Sequence, residues 1–156
     1  MEERTSSPER TGGCQCGAVR YRLDATPRGV HVCHCRMCQK AGGAPFMAFT
    51  GVAAKDFKLM RGALSTFASS EIAERGFCSQ CGTPLTYRSK RFDNVSVTLG
   101  SLDRPADVAP KRQLGVESRL PWFAGLPALP EIATDVWMAK MKIAATGGRQ
   151  HPDHET

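Results

Sequence analysis

Apolar and polar positions alternate along this chain with a period of two, over short stretches, and this pattern predicts strands. Ala18-Val19-Arg20-Tyr21-Arg22-Leu23 places its apolar residues on one side, as a half-buried strand does. Asn94-Val95-Ser96-Val97-Thr98-Leu99 repeats the pattern more clearly, and Gly100 ends it. Shorter runs at Pro45–Thr50, Arg75–Cys78 and Leu85–Tyr87 predict further strands. Phe57–Met60 and Leu64–Ala68 flank Arg61-Gly62-Ala63, an arrangement that predicts a hairpin. Helix signals are weak. Met37–Ala41 predicts one helical turn stopped at Gly42-Gly43, and Ile132–Lys142 fits a helix or a strand equally well. Between them, residues 105–130 carry five prolines and predict an extended loop with a short strand near Leu114–Val116. Residues 1–11 and 147–156 are polar and without period, so both read as disordered tails around a single domain spanning 12–146. His151 and His154 fall in the second tail and read as solvated side chains. The expectation is a mainly β fold with few short helices.

Composition changes the picture at one point. Apolar residues make up 41% and charged residues 23% of 156 residues, close to globular averages, which argues against a wholly disordered chain. No apolar run approaches the roughly 18–20 residues of a membrane span. The first residues lack the apolar segment of a secretory signal, so the expected location is cytoplasmic. Lys and Arg are scattered rather than gathered with aromatics, so nucleic acid is not an expected partner. The seven cysteines are the exception to this ordinary composition. An odd number leaves one thiol over from disulfides, and cysteine-rich chains in a reducing compartment more often bind metal or do redox chemistry.

The cysteines fall in three groups: Cys14-Gln-Cys16-Gly17, Cys33-His-Cys35-Arg-Met-Cys38 and Cys78-Ser-Gln-Cys81-Gly82. Tetrahedral zinc sets ligand sulfurs about 3.8 Å apart. Residues i and i+2 of a strand point to one face about 6.6 Å apart, and a C-x-x-C pair converges across a tight turn. Gly17 and Gly82 follow their pairs, where glycine lets the backbone fold back toward the sulfurs. Two pairs and one triplet divide as four and three. Cys14, Cys16, Cys78 and Cys81 form a closed four-thiolate set, the pattern of structural zinc, with a redox pair at Cys78 and Cys81 as the rival reading. Cys33, Cys35 and Cys38 cannot share one helix face, since i and i+2 differ by about 200°. They converge if the chain is extended to Cys35 and then turns into a short helix. Three thiolates leave a fourth position open, the pattern of a catalytic zinc. A second structural zinc completed by another ligand, or a fortuitous cluster of thiols, is the alternative. His31 and His34 are the candidates, although His34 in an extended stretch points away from its two neighbours. Bound metal also lowers the charge: seven thiolates remove seven units and two divalent ions return four, taking +6 to +3.

Three segments together resemble a known family. These are Gly12-Gly13-Cys14-Gln15-Cys16-Gly17-Ala18-Val19-Arg20-Tyr21, Cys33-His34-Cys35-Arg36-Met37-Cys38-Gln39-Lys40 and Gly76-Phe77-Cys78-Ser79-Gln80-Cys81-Gly82-Thr83-Pro84-Leu85. Their order and spacing are similar to the glutathione-dependent formaldehyde-activating enzymes and the centromere-protein-V-like proteins. Gly100-Ser101-Leu102-Asp103 and Ser118-Arg119-Leu120-Pro121-Trp122 are further echoes, so the resemblance covers residues 12–130. It implies several small antiparallel sheets around two zinc sites, in a β-tent-like arrangement. It implies structural zinc at Cys14, Cys16, Cys78 and Cys81, and catalytic zinc at Cys33, Cys35 and Cys38. Three ligands hold metal less tightly than four, so the second ion is expected to be the more labile. The implied activity is that of a carbon–sulfur lyase, adding glutathione or a similar thiol to formaldehyde or another small aldehyde. A non-catalytic zinc-stabilised interaction module is the alternative. Members often carry histidine where Arg112-Gln113-Leu114 stands, and an acidic residue where Phe123-Ala124-Gly125 follows the Pro-Trp pair. Both departures lie outside the cysteine groups. Arg119 and Trp122 are candidates for the peptide end of a substrate, but read first as a surface cation and a core aromatic.

Overall fold

The computed structural model describes residues 10–144 and 147–154. Residues 1–9 of the expected N-terminal tail lie outside the described residues, and Arg10 and Thr11 open the first strand. The fold is mainly β. Strands β1 (Arg10–Gly13), β2 (Arg20–Leu23) and β5 (Phe57–Arg61) form one antiparallel sheet in the order β1-β2-β5. A seven-stranded sheet contains β3 (Arg28–Cys33), β4 (Met47–Ala53), β6 (Ser65–Ser70), β7 (Ala73–Phe77), β8 (Pro84–Ser89), β9 (Asn94–Thr98) and β10 (Gln113–Leu114). Its order is β10-β3-β4-β9-β8-β7-β6, antiparallel except for the two-residue parallel pair of β10 with β3. Helix α1 spans Arg36–Gly42 and helix α2 spans Thr134–Met141. No helix among the described residues is long and apolar enough to cross a membrane.

The expected hairpin at Arg61-Gly62-Ala63 does not form. β5 pairs with β2 and β6 pairs with β7, so the chain changes sheets at this point. Gly62 makes the crossing possible: its φ is +70°, and a Cβ there would sit 2.1 Å from the Ala18 carbonyl oxygen. β5 is held on β2 by the apolar contact of Phe57 with Tyr21, ring centroids 5.5 Å apart. The ambiguous C-terminal stretch is helical in α2, and its residues are mostly exposed. The proline-rich stretch is not extended. Pro105–Asp107 and Pro121–Ala128 are 3-10 turns opened by proline, which fixes φ near the helical value, and Val116–Ser118 is a third, entered through Gly115 in the left-handed conformation.

The two faces of the seven-stranded sheet do different work. Val52 and Val97 pack with Val19 and with Tyr21 and Leu23 of the small sheet, and Cys14 and Cys78 join this main core. On the opposite face Met47 and Phe49 pack with Cys38, flanked by Cys33, Cys35 and Tyr87. Period-two alternation along β4 separates the two sets.

A loop after β9 fastens the first hairpin. Leu102 bridges Gly12, and Ser101 Oγ donates to Thr98 O at 2.8 Å while bonding the Tyr21 hydroxyl at 2.7 Å. Asp103 accepts two bonds from the Arg20 guanidinium, at 2.9 and 2.5 Å, and one from Thr11 Oγ1 at 2.5 Å. The pair is buried, with side chains 6% and 7% exposed. Burial by itself raises the Asp103 carboxyl, but the Arg20 and Thr11 bonds hold it below the ordinary carboxylate range. A carboxyl lowered in the folded state stabilises the fold above its unfolded pKa. That contribution is lost as pH falls through the folded value. Asp103→Asn is therefore expected to cost about 3–5 kcal/mol at pH 7. Its deficit against wild type should shrink once both proteins are below pH about 3.9, the unfolded carboxyl value. Urea unfolding of both proteins at pH 7 and pH 3 checks the magnitude and the sign.

Candidate metal centre

Two matched turns build the first cysteine group. Between β1 and β2, Cys14 N donates to Val19 O at 3.0 Å and Gly17 N donates to Cys14 O at 3.1 Å. Between β7 and β8, Cys78 N donates to Thr83 O at 3.1 Å and Gly82 N donates to Cys78 O at 2.9 Å. Gly17 and Gly82 take φ of +77° and +76°, the left-handed turn that glycine permits. Their own N–H groups close the turns, and other N–H groups reach the sulfurs, among them Val19 N, 3.2 Å from Cys14 Sγ. Gln15 N donates to Thr83 Oγ1 at 3.0 Å and ties one turn to the other.

The sulfurs of Cys14, Cys16, Cys78 and Cys81 lie within 4.8 Å of one another. Cys14 to Cys16 is 3.6 Å and Cys16 to Cys78 is 3.9 Å, close to the roughly 3.8 Å edge of a tetrahedral thiolate site. As free thiols, Cys16 and Cys81 are shifted in opposite directions. At Cys16 the Ala18 N–H favours the thiolate, but desolvation and its three thiol neighbours outweigh it, and the pKa rises to about 12. At Cys81 burial acts upward, but the Thr83 hydroxyl and N–H bring the thiol down to about 6. Four sulfurs this close do not ionise together without a cation between them. The set suits a metal ion.

The second group is made by one strand end and one helix start. Cys33 closes β3, Cys35 is the N-cap of α1 and Cys38 lies in its first turn. Cys38 N donates to Cys35 Sγ at 3.4 Å, so the cap itself aims a sulfur inward. Gly43, in the left-handed conformation, ends the helix. The three sulfurs lie within 4.8 Å of one another, with Cys33 and Cys35 3.5 Å apart. Burial raises Cys33 to about 12. At Cys35 the same upward effect is outweighed by the Cys38 N–H, the neighbouring thiols and the Arg75 charge, and the pKa falls. This set also suits a metal ion, and three donors leave one tetrahedral position for another ligand.

Neither histidine candidate joins the triplet. His34 is fully buried, its ring edge-on to Phe123 at 4.7 Å and its Nε2 2.9 Å from Gln113 Oε1. His31 bonds the Gly29 carbonyl at 2.6 Å through Nδ1. Gln113, in the segment Arg112-Gln113-Leu114, thus orients a buried ring packed on Phe123. Arg119 is exposed as expected and lies 3.4 Å from Gln113 Oε1. Trp122 is 53% exposed, not a core aromatic, because the 3-10 turn Pro121–Ala128 lies on the surface. His151 is not in either sulfur group, but its N–H donates to Gln15 O at 2.7 Å and its ring lies over Gly17. That contact was not legible in a segment without periodicity.

Residues 9–118 match the family model described as glutathione-dependent formaldehyde-activating enzyme. The chain belongs to this family. Both cysteine groups of the formaldehyde-activating pattern fall inside the match, whereas α2 and the segment carrying His151 lie beyond it. A protein of Schizosaccharomyces pombe named only as an uncharacterized lyase is 35% identical over 80 residues, which is 51% of this chain and 58% of that protein. The chain therefore spans less than two thirds of the length of this curated relative. A crystal structure of a Rhodobacter sphaeroides protein superposes with a TM-score of 0.53 at 22% identity, covering 66% of this chain and 98% of that one. At that identity the likeness supports the shared fold of this formaldehyde-activating family member.

Proposed function

We propose that the protein is a zinc-dependent carbon–sulfur lyase that reversibly joins a small thiol, of which glutathione is the type, to formaldehyde or another small aldehyde. The observation that carries the reading is the grouping of seven sulfurs as a closed four and an open three. Cys14, Cys16, Cys78 and Cys81 hold a structural ion in this reading, and Cys33, Cys35 and Cys38 hold the catalytic one. A zinc ion at the triplet supplies a Lewis acid that lowers the pKa of a thiol beside it.

The chain's own residues do the rest. The Cys38 N–H fixes the direction of Cys35 Sγ, and Cys33 and Cys35 remain half-buried, so a small thiol reaches the triplet from solvent. A groove of about 1130 Å³ is lined by none of the three cysteines, but by His31, two residues before Cys33 on β3, and by Leu114, the register partner of Cys33. Arg28 and Arg112 line it with Asp24 and Asp93, a mixed-charge wall suited to a zwitterionic peptide thiol. In the reaction the sulfur forms a bond to the carbonyl carbon. The π pair moves to oxygen, which takes up a proton equivalent to the one the thiol lost.

The test follows glutathione and formaldehyde exchanging with S-hydroxymethylglutathione by exchange NMR. Exchange well above the uncatalysed rate is expected with the zinc-loaded protein, lost on chelation and restored by zinc. Exchange at the background rate with glutathione, and with other small thiols and aldehydes, leaves the interaction-module reading in its place.

A further inference from the structure

A buried cation stands against the cysteine triplet. Arg75, on β7, is 9% exposed. Its Nη2 donates to Cys38 Sγ at 3.4 Å, its Nε donates to Ser69 Oγ at 3.1 Å, and its Nη1 approaches Met47 Sδ at 3.9 Å. Its guanidinium carbon lies 5.2 Å from the centre of the Tyr87 ring. Among the described residues no carboxylate forms an ion pair with it. A guanidinium does not lose its proton in a protein, and a charge taken out of water needs an opposite charge beside it. The group available to supply that charge is the triplet.

The charges then balance. Three thiolates around a divalent ion sum to −1, and Arg75 brings the assembly to zero. Entry of a thiolate as fourth ligand leaves the assembly at −1; without Arg75 it would reach −2. We propose that Arg75 is the counter-ion of the Cys33–Cys35–Cys38 site. It is a positioning residue that holds Cys38 Sγ toward the common centre and biases the open position toward an anionic ligand over water. The inference rests on the triplet being a metal site, as in the function proposed above. Packing on Tyr87 and Ser69 alone makes a different demand: removing the charge then leaves metal and thiol binding unchanged in a folded protein.

The experiment uses the whole chain as wild type, Arg75→Met and Arg75→Lys, loaded with cobalt(II), whose thiolate charge-transfer bands report each site. A chelator competition gives the affinity of each of two ions, and a titration with 2-mercaptoethanol reads ligand uptake at the second. Binding of the first ion, at the four-cysteine group, is the control for folding. With that ion unchanged, Arg75→Met is expected to bind the second about 10–100-fold more weakly, the range seen when a ligand's supporting partner is removed. Its uptake of 2-mercaptoethanol should weaken at least as much. Arg75→Lys, which keeps the charge, should recover most of both. Wild-type affinity for the second ion and for thiol in folded Arg75→Met overturns the counter-ion role. If Arg75→Met also loses the first ion, Arg75→Lys decides: retained thiol uptake supports the role of charge, and lost uptake in a protein holding both ions overturns it. A wild-type chain that takes up one cobalt alone overturns the metal reading of the triplet as well.

Discussion

Replacing Cys14 by serine is expected to leave a chain that does not hold its fold. Cys14 and Cys78 are buried in the main core, and the group they share with Cys16 and Cys81 joins the β1–β2 turn to the β7–β8 turn. If that group binds zinc, the ion contributes an apparent 10–16 kcal/mol, about as much as or more than the 5–15 kcal/mol net stability of an ordinary domain. Three thiolates and a hydroxyl hold zinc much less tightly, and the buried sulfurs then face one another without a cation. Near-UV circular dichroism and thermal melting, read beside zinc content, check this. The expected result is loss of the cooperative transition together with loss of the ion. A variant that melts within a few degrees of wild type would show that the four sulfurs are not a structural site.

Replacing Cys35 by serine should have the opposite profile, an intact fold and a lost activity. Cys35 lies beside the smaller core cluster, away from the main core. It caps α1 by accepting the Cys38 N–H, and serine is among the best residues for that position. The helix is therefore retained while one of the three grouped sulfurs is lost. Removing a group that merely supports a ligand costs about 10–100-fold, so removing a ligand should lower thiol–aldehyde exchange by more than about a hundredfold. Zinc content should fall from two ions to one per chain, and the melting temperature should move little. Exchange at the wild-type rate in a variant holding one ion would remove the triplet from the mechanism. The pair of variants separates the two groups, one acting on stability and the other on chemistry.

Much of this was open to reading along the chain because its causes are local. Strands at Ala18–Leu23 and Asn94–Leu99 follow from alternation, and β2 and β9 occupy most of each. The helical turn before Gly42-Gly43 follows from the left-handed stop, which Gly43 supplies as the C-cap of α1. Failures came where a neighbour in space outweighed a neighbour in sequence. Phe57–Arg61 and Ser65–Ser70 are three residues apart yet belong to different sheets, because Phe57 covers Tyr21 and Gly62 lets the backbone pass Ala18. Trp122 reads as a core residue by type, but the proline-led 3-10 turn that carries it runs along the surface.

The sequence by itself determined the sulfur groups and their local geometry. A C-x-C at a strand end and a C-x-x-C across a glycine turn bring sulfurs together within a few residues, whatever the rest of the chain does. Counting seven thiols as four and three needed no structure, and the sulfurs lie in those groups. Only the tertiary structure decided what stands around them. It set the Gly100-Ser101-Leu102-Asp103 loop against Tyr21, Gly12 and Arg20, and His34 against Gln113 and Phe123. It also brought Arg75 onto Cys38 from a strand four places from β3 in the sheet. The physical reason is that a period of two shows which side of a strand is apolar but not which strand pairs beside it. A buried charge meets its counter-charge only after those pairings are made.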